Sequence, residues 1–236
     1  MTKNYGMTDQ KLLVELINVS KDYQLDGTSR QVLNGVSLLV HSGDSLAITG
    51  PSGSGKTTLL NLLGLLDVPG SGSIRFMDRD VELMTADELS DARNKHIGFV
   101  FQLHYLLPQL SLIENVMVPV IPVKEKSRRK QALDRAMELL GRVGLSDKTE
   151  QRPGQLSVGE CQRAAVVRAL VNEPELVLAD EPTGSLDHDS GEHLGELLTG
   201  LCSSLSVGLV VVTHSQELAQ RMKQGYRLLN GKLISM

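Results

Sequence analysis

Residues 50–58 read GPSGSGKTT, and Gly50, Gly55, Lys56 and Thr57 fit the spacing G-x-x-x-x-G-K-S/T. Glycines in that pattern let backbone N–H groups wrap a chain of phosphates, with Pro51, Ser52, Gly53, Ser54 and Thr58 completing the candidate nucleotide-binding loop. Lys56 would reach the β- and γ-phosphate oxygens, and the Thr57 hydroxyl, at the start of a helix, could ligate Mg²⁺. A plain glycine turn would leave Lys56 unexplained, and the spacing is wrong for the dinucleotide fingerprint G-x-G-x-x-G. The chemistry expected here is the binding of a nucleoside triphosphate.

Two further clusters fit the hydrolysis of that ligand. LVLADEP sets Asp180 at the end of an apolar strand, where it could position Mg²⁺ directly or through water. Glu181, the next residue, is the candidate general base for an attacking water. His214 follows GLVVVT at another strand end, the edge of an open sheet where such folds bind ligands. A lone histidine is most often structural; in this company it becomes a second catalytic candidate.

These groups need a frame. Apolar runs of strand length recur as LLVELINV from Leu12, SLAIT ending at Thr49, IGFVF from Ile97, LVLAD ending at Asp180 and GLVVVT ending at Thr213. Continuous runs separated by helical patterns predict an α/β fold with a mainly parallel sheet covered on both faces. Between Gln102 and Leu156 the pattern turns helical, predicting an inserted helical subdomain at 103–160 in an α/β core of 1–102 and 161–236, one domain in all. With 236 residues, 41% of them hydrophobic, the chain can bury a core of that size.

The net charge of −4 offers no basic field for nucleic acid, and the basic run KSRRK at 126–130 reads as a solvated helix face. Cys161 and Cys202 are too few for a ligand cluster or a disulfide framework and suit a reducing compartment. MTKNYGMTDQ has no apolar signal core, and no run of about 18 apolar residues could cross a bilayer, so a membrane role would have to come through a partner.

At this point the residues resemble a family: the chain is similar to ABC transporter nucleotide-binding subunits over nearly its whole length. GPSGSGKT resembles the family's phosphate loop, VFQ places Gln102 at its Q-loop, and LSVGE sets Ser157 and Gly159 at its signature motif. LVLADEP matches its acidic strand, GSLD its D-loop through Asp187, and THS its switch histidine through His214. The resemblance implies a P-loop NTPase fold with an antiparallel β part near the N-terminus and ATP with Mg²⁺ as ligands. It also implies that Tyr23 stacks on adenine and that Thr57, Gln102 and Asp180 surround the metal. Two subunits would sandwich two nucleotides head to tail, each site taking its phosphate loop from one chain and Ser157, Gly159 and Asp187 from the other.

One residue departs from the pattern. The signature usually reads LSGGE or LSGGQ, and here Val158 stands in place of the first glycine. Ser157-Val158-Gly159-Glu160 reads as a capping box opening an apolar helix, whose N-terminus offers free N–H groups to an anion. If Val158 has a negative φ it costs little; if the position needs a positive φ, valine is strained by about 1–2 kcal/mol. The expectation is an active ATPase. Cys161, where the family often has glutamine, reads as a buried helical cysteine.

The apolar segment LHYLLPQLSLIENVMVPVIPV reads mostly as subdomain core. The resemblance adds a groove for a membrane partner's coupling helix, with Leu106, Leu107 and Leu110 as docking candidates. Together with LADEPTGSLD, this segment is similar to the subgroup of lipoprotein-releasing and macrolide- or peptide-exporting ATPases, which also resembles the cell-division ATPase. A chain with no fused transmembrane region suits a separate lipoprotein-releasing subunit, peripheral on the cytoplasmic face of the inner membrane and bound to integral membrane subunits. The alternatives are an efflux or cell-wall-regulating complex, or an ABC ATPase not engaged in transport. The latter usually carries a coiled-coil arm or tandem cassettes, and neither is seen here.

Overall fold

The computed structural model describes residues 11–25 and 28–236; the segment MTKNYGMTDQ lies outside the described residues. In chain order the strands and helices are β1 (Leu12–Leu25), β2 (Thr28–His41), β3 (Ser45–Thr49), α1 (Lys56–Leu63), β4 (Ser71–Phe76), β5 (Arg79–Asp80), α2 (Ala86–His96) and β6 (Ile97–Phe101). There follow α3 (Leu112–Met117), α4 (Lys126–Arg142), α5 (Val158–Leu170), β7 (Leu176–Asp180), α6 (His188–Ser204), β8 (Gly208–Val212), α7 (Gln216–Gln220), β9 (Gln224–Leu229) and β10 (Lys232–Ser235).

The strands make two sheets. A six-stranded sheet runs β10-β9-β3-β8-β7-β6, parallel throughout except for the β10–β9 hairpin. A four-stranded antiparallel sheet runs β2-β1-β4-β5. The run LLVELINV therefore lies in the antiparallel sheet, apart from the other apolar runs. β2 shows why such strands are hard to see in sequence: it is 14 residues long, and only its second half alternates, with Val36, Leu38 and Val40 buried between more exposed neighbours.

Because successive side chains point to opposite faces, the parallel sheet separates two cores. Ala47, Val100, Val177, Ala179, Leu209 and Val211 face one, shared with α3, α4, α5 and α6. Leu46, Ile48, Leu176, Leu178, Val210 and Val212 face the other, shared with α1 and the antiparallel sheet. Both faces of β3, β7 and β8 are thus dry, which is why those strands read as unbroken apolar runs.

Between β6 and β7 the chain forms α3, α4, α5 and short 3₁₀ turns, with no strand among the described residues. Residue 160 falls in the first turn of α5, so that helix belongs both to the inserted segment and to the packing of the sheet. At Gly98 on β6 an added Cβ would lie 2.2 Å from the Ala169 carbonyl oxygen; only a glycine lets α5 approach this closely. The run KSRRK forms the exposed first turns of α4. Cys161 and Cys202 are both buried free thiols, and burial pushes the Cys202 thiol up to about 12. Among the described residues no helix is long and apolar enough to cross a membrane.

Candidate functional site

The loop after β3 turns back on itself through positive φ at Gly50 (154°), Gly53 (72°) and Gly55 (100°). At Gly50 the constraint is also steric, since an added Cβ would sit 2.4 Å from the Leu228 carbonyl oxygen. Lys56 opens α1 and is buried, its Nζ donating to the carbonyls of Gly50 (3.0 Å) and Pro51 (3.2 Å) and lying 3.1 Å from His214 Nε2. An ammonium can only donate, so His214 Nε2 accepts here and its Nδ1 carries the proton. The lysine thus folds onto its own loop, a cationic tip surrounded by acceptors that an anion would replace.

β3, β7 and β8 are neighbours, and their C-terminal ends bring the other groups to the same edge. Thr57 Oγ1 donates to Asp180 Oδ2 at 2.9 Å. Glu181 stands just beyond β7 at φ 47°, a conformation that favours glycine, and its N–H bonds to the Val212 carbonyl. The strained backbone turns the carboxylate toward His214: Glu181 Oε2 accepts the main-chain N–H of His214 at 3.0 Å, and Oε1 lies 3.4 Å from the ring Nε2. The backbone of the switch-histidine candidate therefore holds the general-base candidate, while Lys56 holds the imidazole.

These residues border an open cleft of about 630 Å³, shared by Tyr23, Ser52, Gly53, Gly55, Lys56, Thr57, Thr58, Gln102, Asp180, Glu181 and His214. Gly50 and Pro51 meet it through the carbonyls that hold Lys56, and the Ser54 hydroxyl is buried within the loop. Tyr23 rises at its rim from β1, about one third exposed, its hydroxyl donating to Asp67 at 2.8 Å. Lys21 also binds Asp67 and lies 5.3 Å from the Tyr23 ring centroid. Burial, the largest influence, pushes the Tyr23 phenol above its ordinary value. Arg30 and Asp67 escaped the sequence reading: Arg30 pairs with Tyr23 across the β1–β2 ladder, and Asp67 is brought in from beyond α1. No local pattern marks either.

Thr57, Asp180 and Gln102, each with a side-chain oxygen, all line the cleft. Donating its proton to Asp180 leaves the Thr57 hydroxyl lone pairs free. Mg²⁺ usually takes only one or two protein oxygens and completes its octahedron with phosphate and water, so this set fits it.

Ser157, Gly159 and Asp187 do not border this cleft. Ser157 is the N-cap of α5: its Oγ accepts the Glu160 N–H, and Glu160 reaches back to the Ser157 N–H at 2.8 Å. Val158 is the first residue of that helix, half exposed, and is not among the positive-φ residues. The valine therefore bears no backbone strain. Beside Gly159 the surface is open, with only Arg163 Nη1 as near as 4.0 Å to an added Cβ. Asp187 caps α6 by accepting the Ser190 N–H, which holds its carboxyl below the usual range. It lies along a smaller groove of about 250 Å³ that also reaches Glu181 and His214. One chain thus carries a loop-bearing cleft and, apart from it, an exposed helix N-terminus.

The docking expectation changes. Leu106 is buried in the core shared with α3 and α5, because the chain after Gln102 turns inward there. Leu107 is exposed and Leu110 half-buried, and nearby, between β6 and α5, lies a cleft of about 540 Å³ lined by Leu66, Phe101, Tyr105, Pro119 and Arg168. Tyr105 stands exposed in that cleft at φ 46°.

Comparison with known proteins agrees with this geometry. The family described as "ABC transporter" matches residues 33–184. The chain is 44% identical over 223 residues to the lipoprotein-releasing system ATP-binding protein LolD of Syntrophus aciditrophicus, covering 94% of this chain and 99% of that one. It is likewise 44% identical over 221 residues to the LolD of Myxococcus xanthus, covering 94% and 98%. Among solved structures it resembles an ATP-binding cassette captured as a dimer in a post-hydrolysis state with ADP and Pi. The TM-score is 0.84 at 34% identity, over 95% of this chain and 98% of that one.

Proposed function

This chain belongs to the ABC transporter family, and from that premise we propose that it is the ATP-hydrolysing subunit of a lipoprotein-releasing system, acting through separate membrane subunits. The observation that carries the reading is the single cleft at the ends of β3, β7 and β8, where Lys56, Thr57, Asp180, Glu181 and His214 meet. The relatives named for lipoprotein release supply the cargo class.

ATP enters with its phosphates on the glycine loop and its base against Tyr23, a ring face that tolerates any purine. Lys56 exchanges the Gly50 and Pro51 carbonyls for β- and γ-phosphate oxygens. Thr57, Asp180 and Gln102 would hold Mg²⁺, which would supply charge neutralisation on the phosphates when bound. Glu181, fixed by the His214 N–H, orients a water for in-line attack and takes its proton, a role worth typically about 10²–10⁴ in rate. As the Lys56 ammonium leaves it, His214 Nε2 takes up a proton and donates to the γ-phosphate.

Ser157, Gly159 and Asp187 complete the site of a second copy, so the working unit is a head-to-tail homodimer. The open surface around Gly159 and the exposed Ser157 cap support that arrangement. The helices between β6 and β7 form the helical subdomain, and the Tyr105 groove receives the membrane subunit at the cytoplasmic face of the inner membrane.

Glu181→Gln tests this: it should bind ATP, fail to hydrolyse it, and elute as a dimer in size exclusion only with ATP and Mg²⁺. A variant that stays monomeric at saturating ATP refutes the sandwich. Purified from its native membranes with ATP, the same variant should bring down a membrane protein with a large extracytoplasmic domain and bound lipoprotein. Recovery of an efflux or cell-division complex instead would overturn the cargo assignment and leave the ATPase intact.

A further inference from the structure

Gln162 is wholly buried in α5, five residues after the Ser157 cap, and its side chain reaches into the machinery rather than the helix. Its Nε2 donates to the carbonyl of Phe101 at 2.6 Å and to the carbonyl of Pro182 at 3.0 Å. The amide orientation is forced, because the flipped form would set Oε1 against two carbonyl oxygens. Its Oε1 has no hydrogen-bond partner, so the side chain contributes solely as a double donor.

The two carbonyls are not arbitrary ones. Phe101 directly precedes Gln102, and Pro182 directly follows Glu181. β6 and β7 are paired as far as Phe101 opposite Asp180; past that register pair the two chains part, one carrying the metal-ligand candidate and the other the base. Gln162 bridges them where the ladder ends. A second side chain of α5 grips the same segment further on: Arg168 donates to the carbonyls of His104 (2.7 Å) and Tyr105 (2.8 Å). The segment holding Gln102 is therefore tied to α5 on both sides.

We propose that Gln162 is a positioning residue for hydrolysis: its buried amide sets the separation of the Gln102 and Glu181 segments and locks both to the helix whose N-terminus presents Ser157. This rests on the ATPase reading above. A displacement of about 1 Å in such a constellation can cost about 10² in rate while leaving the phosphate loop, and hence ATP binding, alone.

The test is Gln162→Met, which keeps length and apolar bulk and removes both donors. The expected result is a kcat at least about tenfold lower, with KM and the affinity for a fluorescent ATP analogue within about twofold of wild type. Asn115→Leu serves as the structural control. Asn115 is equally buried and bonds Leu107, Leu110 and Ser111, far from the catalytic groups in role, so its loss should lower Tm without a selective loss of kcat. If Gln162→Met keeps kcat within twofold, or loses kcat and affinity in parallel as Tm falls, the proposal is wrong. Should that variant not fold, Gln162→Glu replaces it: protonated it keeps one donor, ionised it keeps none, so its kcat relative to wild type should fall as pH rises. A ratio flat with pH would then overturn the proposal. A wild-type chain that hydrolyses no ATP would sink the ATPase reading itself, an outcome distinct from any of these.

Discussion

Val158→Gly restores the residue that usually follows the signature serine, and its effect has a sign that the backbone decides. Val158 is the first residue of α5, outside the positive-φ set, and 52% exposed. Glycine there removes no strain. It costs about 0.3 kcal/mol in helix propensity relative to valine. It also forfeits about half of the roughly 1.5 kcal/mol that a fully buried valine would contribute. The sum, about 1 kcal/mol, should lower Tm by about 2–4 °C in a chain of this size. The ATPase rate should stay within about threefold, since Ser157, Gly159 and the helix N-terminus are unaltered. Had the site needed a positive φ, the same change would relieve about 1–2 kcal/mol and raise Tm. Differential scanning calorimetry paired with steady-state phosphate release therefore separates the two: a Val158→Gly protein that melts higher and turns over tenfold faster would refute the argument.

Lys56→Ala should lose most of its nucleotide affinity, measured by equilibrium titration with a fluorescent ATP analogue, while its melting temperature changes little. Wild-type affinity in that variant would mean the lysine does not leave its resting carbonyls for phosphate. Glu160 gives a pH signature. The hydrogen bond from Lys148 and those of the Ser157 cap hold its carboxyl at about 2, below the unfolded value. A depressed folded pKa stabilises fully above the ordinary carboxylate range, and the gain is lost as pH falls from there through about 2. Tm measured from pH 6 down to pH 2 should therefore fall more steeply in wild type than in Glu160→Gln, and parallel curves would exclude a role for this cap in acid stability.

The candidate phosphate loop was legible because it lies within nine consecutive residues: the chain itself brings Gly50, Gly55, Lys56 and Thr57 to one turn at the start of α1. Asp180, Glu181 and His214 were legible for a related reason. Fully buried parallel strands must read as apolar runs, so a polar residue at the end of such a run marks the sheet edge. Leu106 was misread because an apolar residue in a loop looks the same whether it turns inward or waits for a partner; only the path of the chain after Gln102 distinguishes them. Ser157 and its capping box could be seen locally, yet their separation from the Lys56 cleft depends on where α5 packs.

What the sequence alone determined was the inventory of chemistry and its sheet, because spacing along a strand or a tight loop converts directly into spacing in space. Tertiary structure decided the rest. That Asp67 holds Tyr23, that the His214 main chain holds Glu181, and that Gln162 spans the parting ends of β6 and β7 are contacts between residues 20 to 61 positions apart. Contacts of that kind leave no periodic trace in sequence, since they arise only when packed elements bring distant groups within hydrogen-bonding reach.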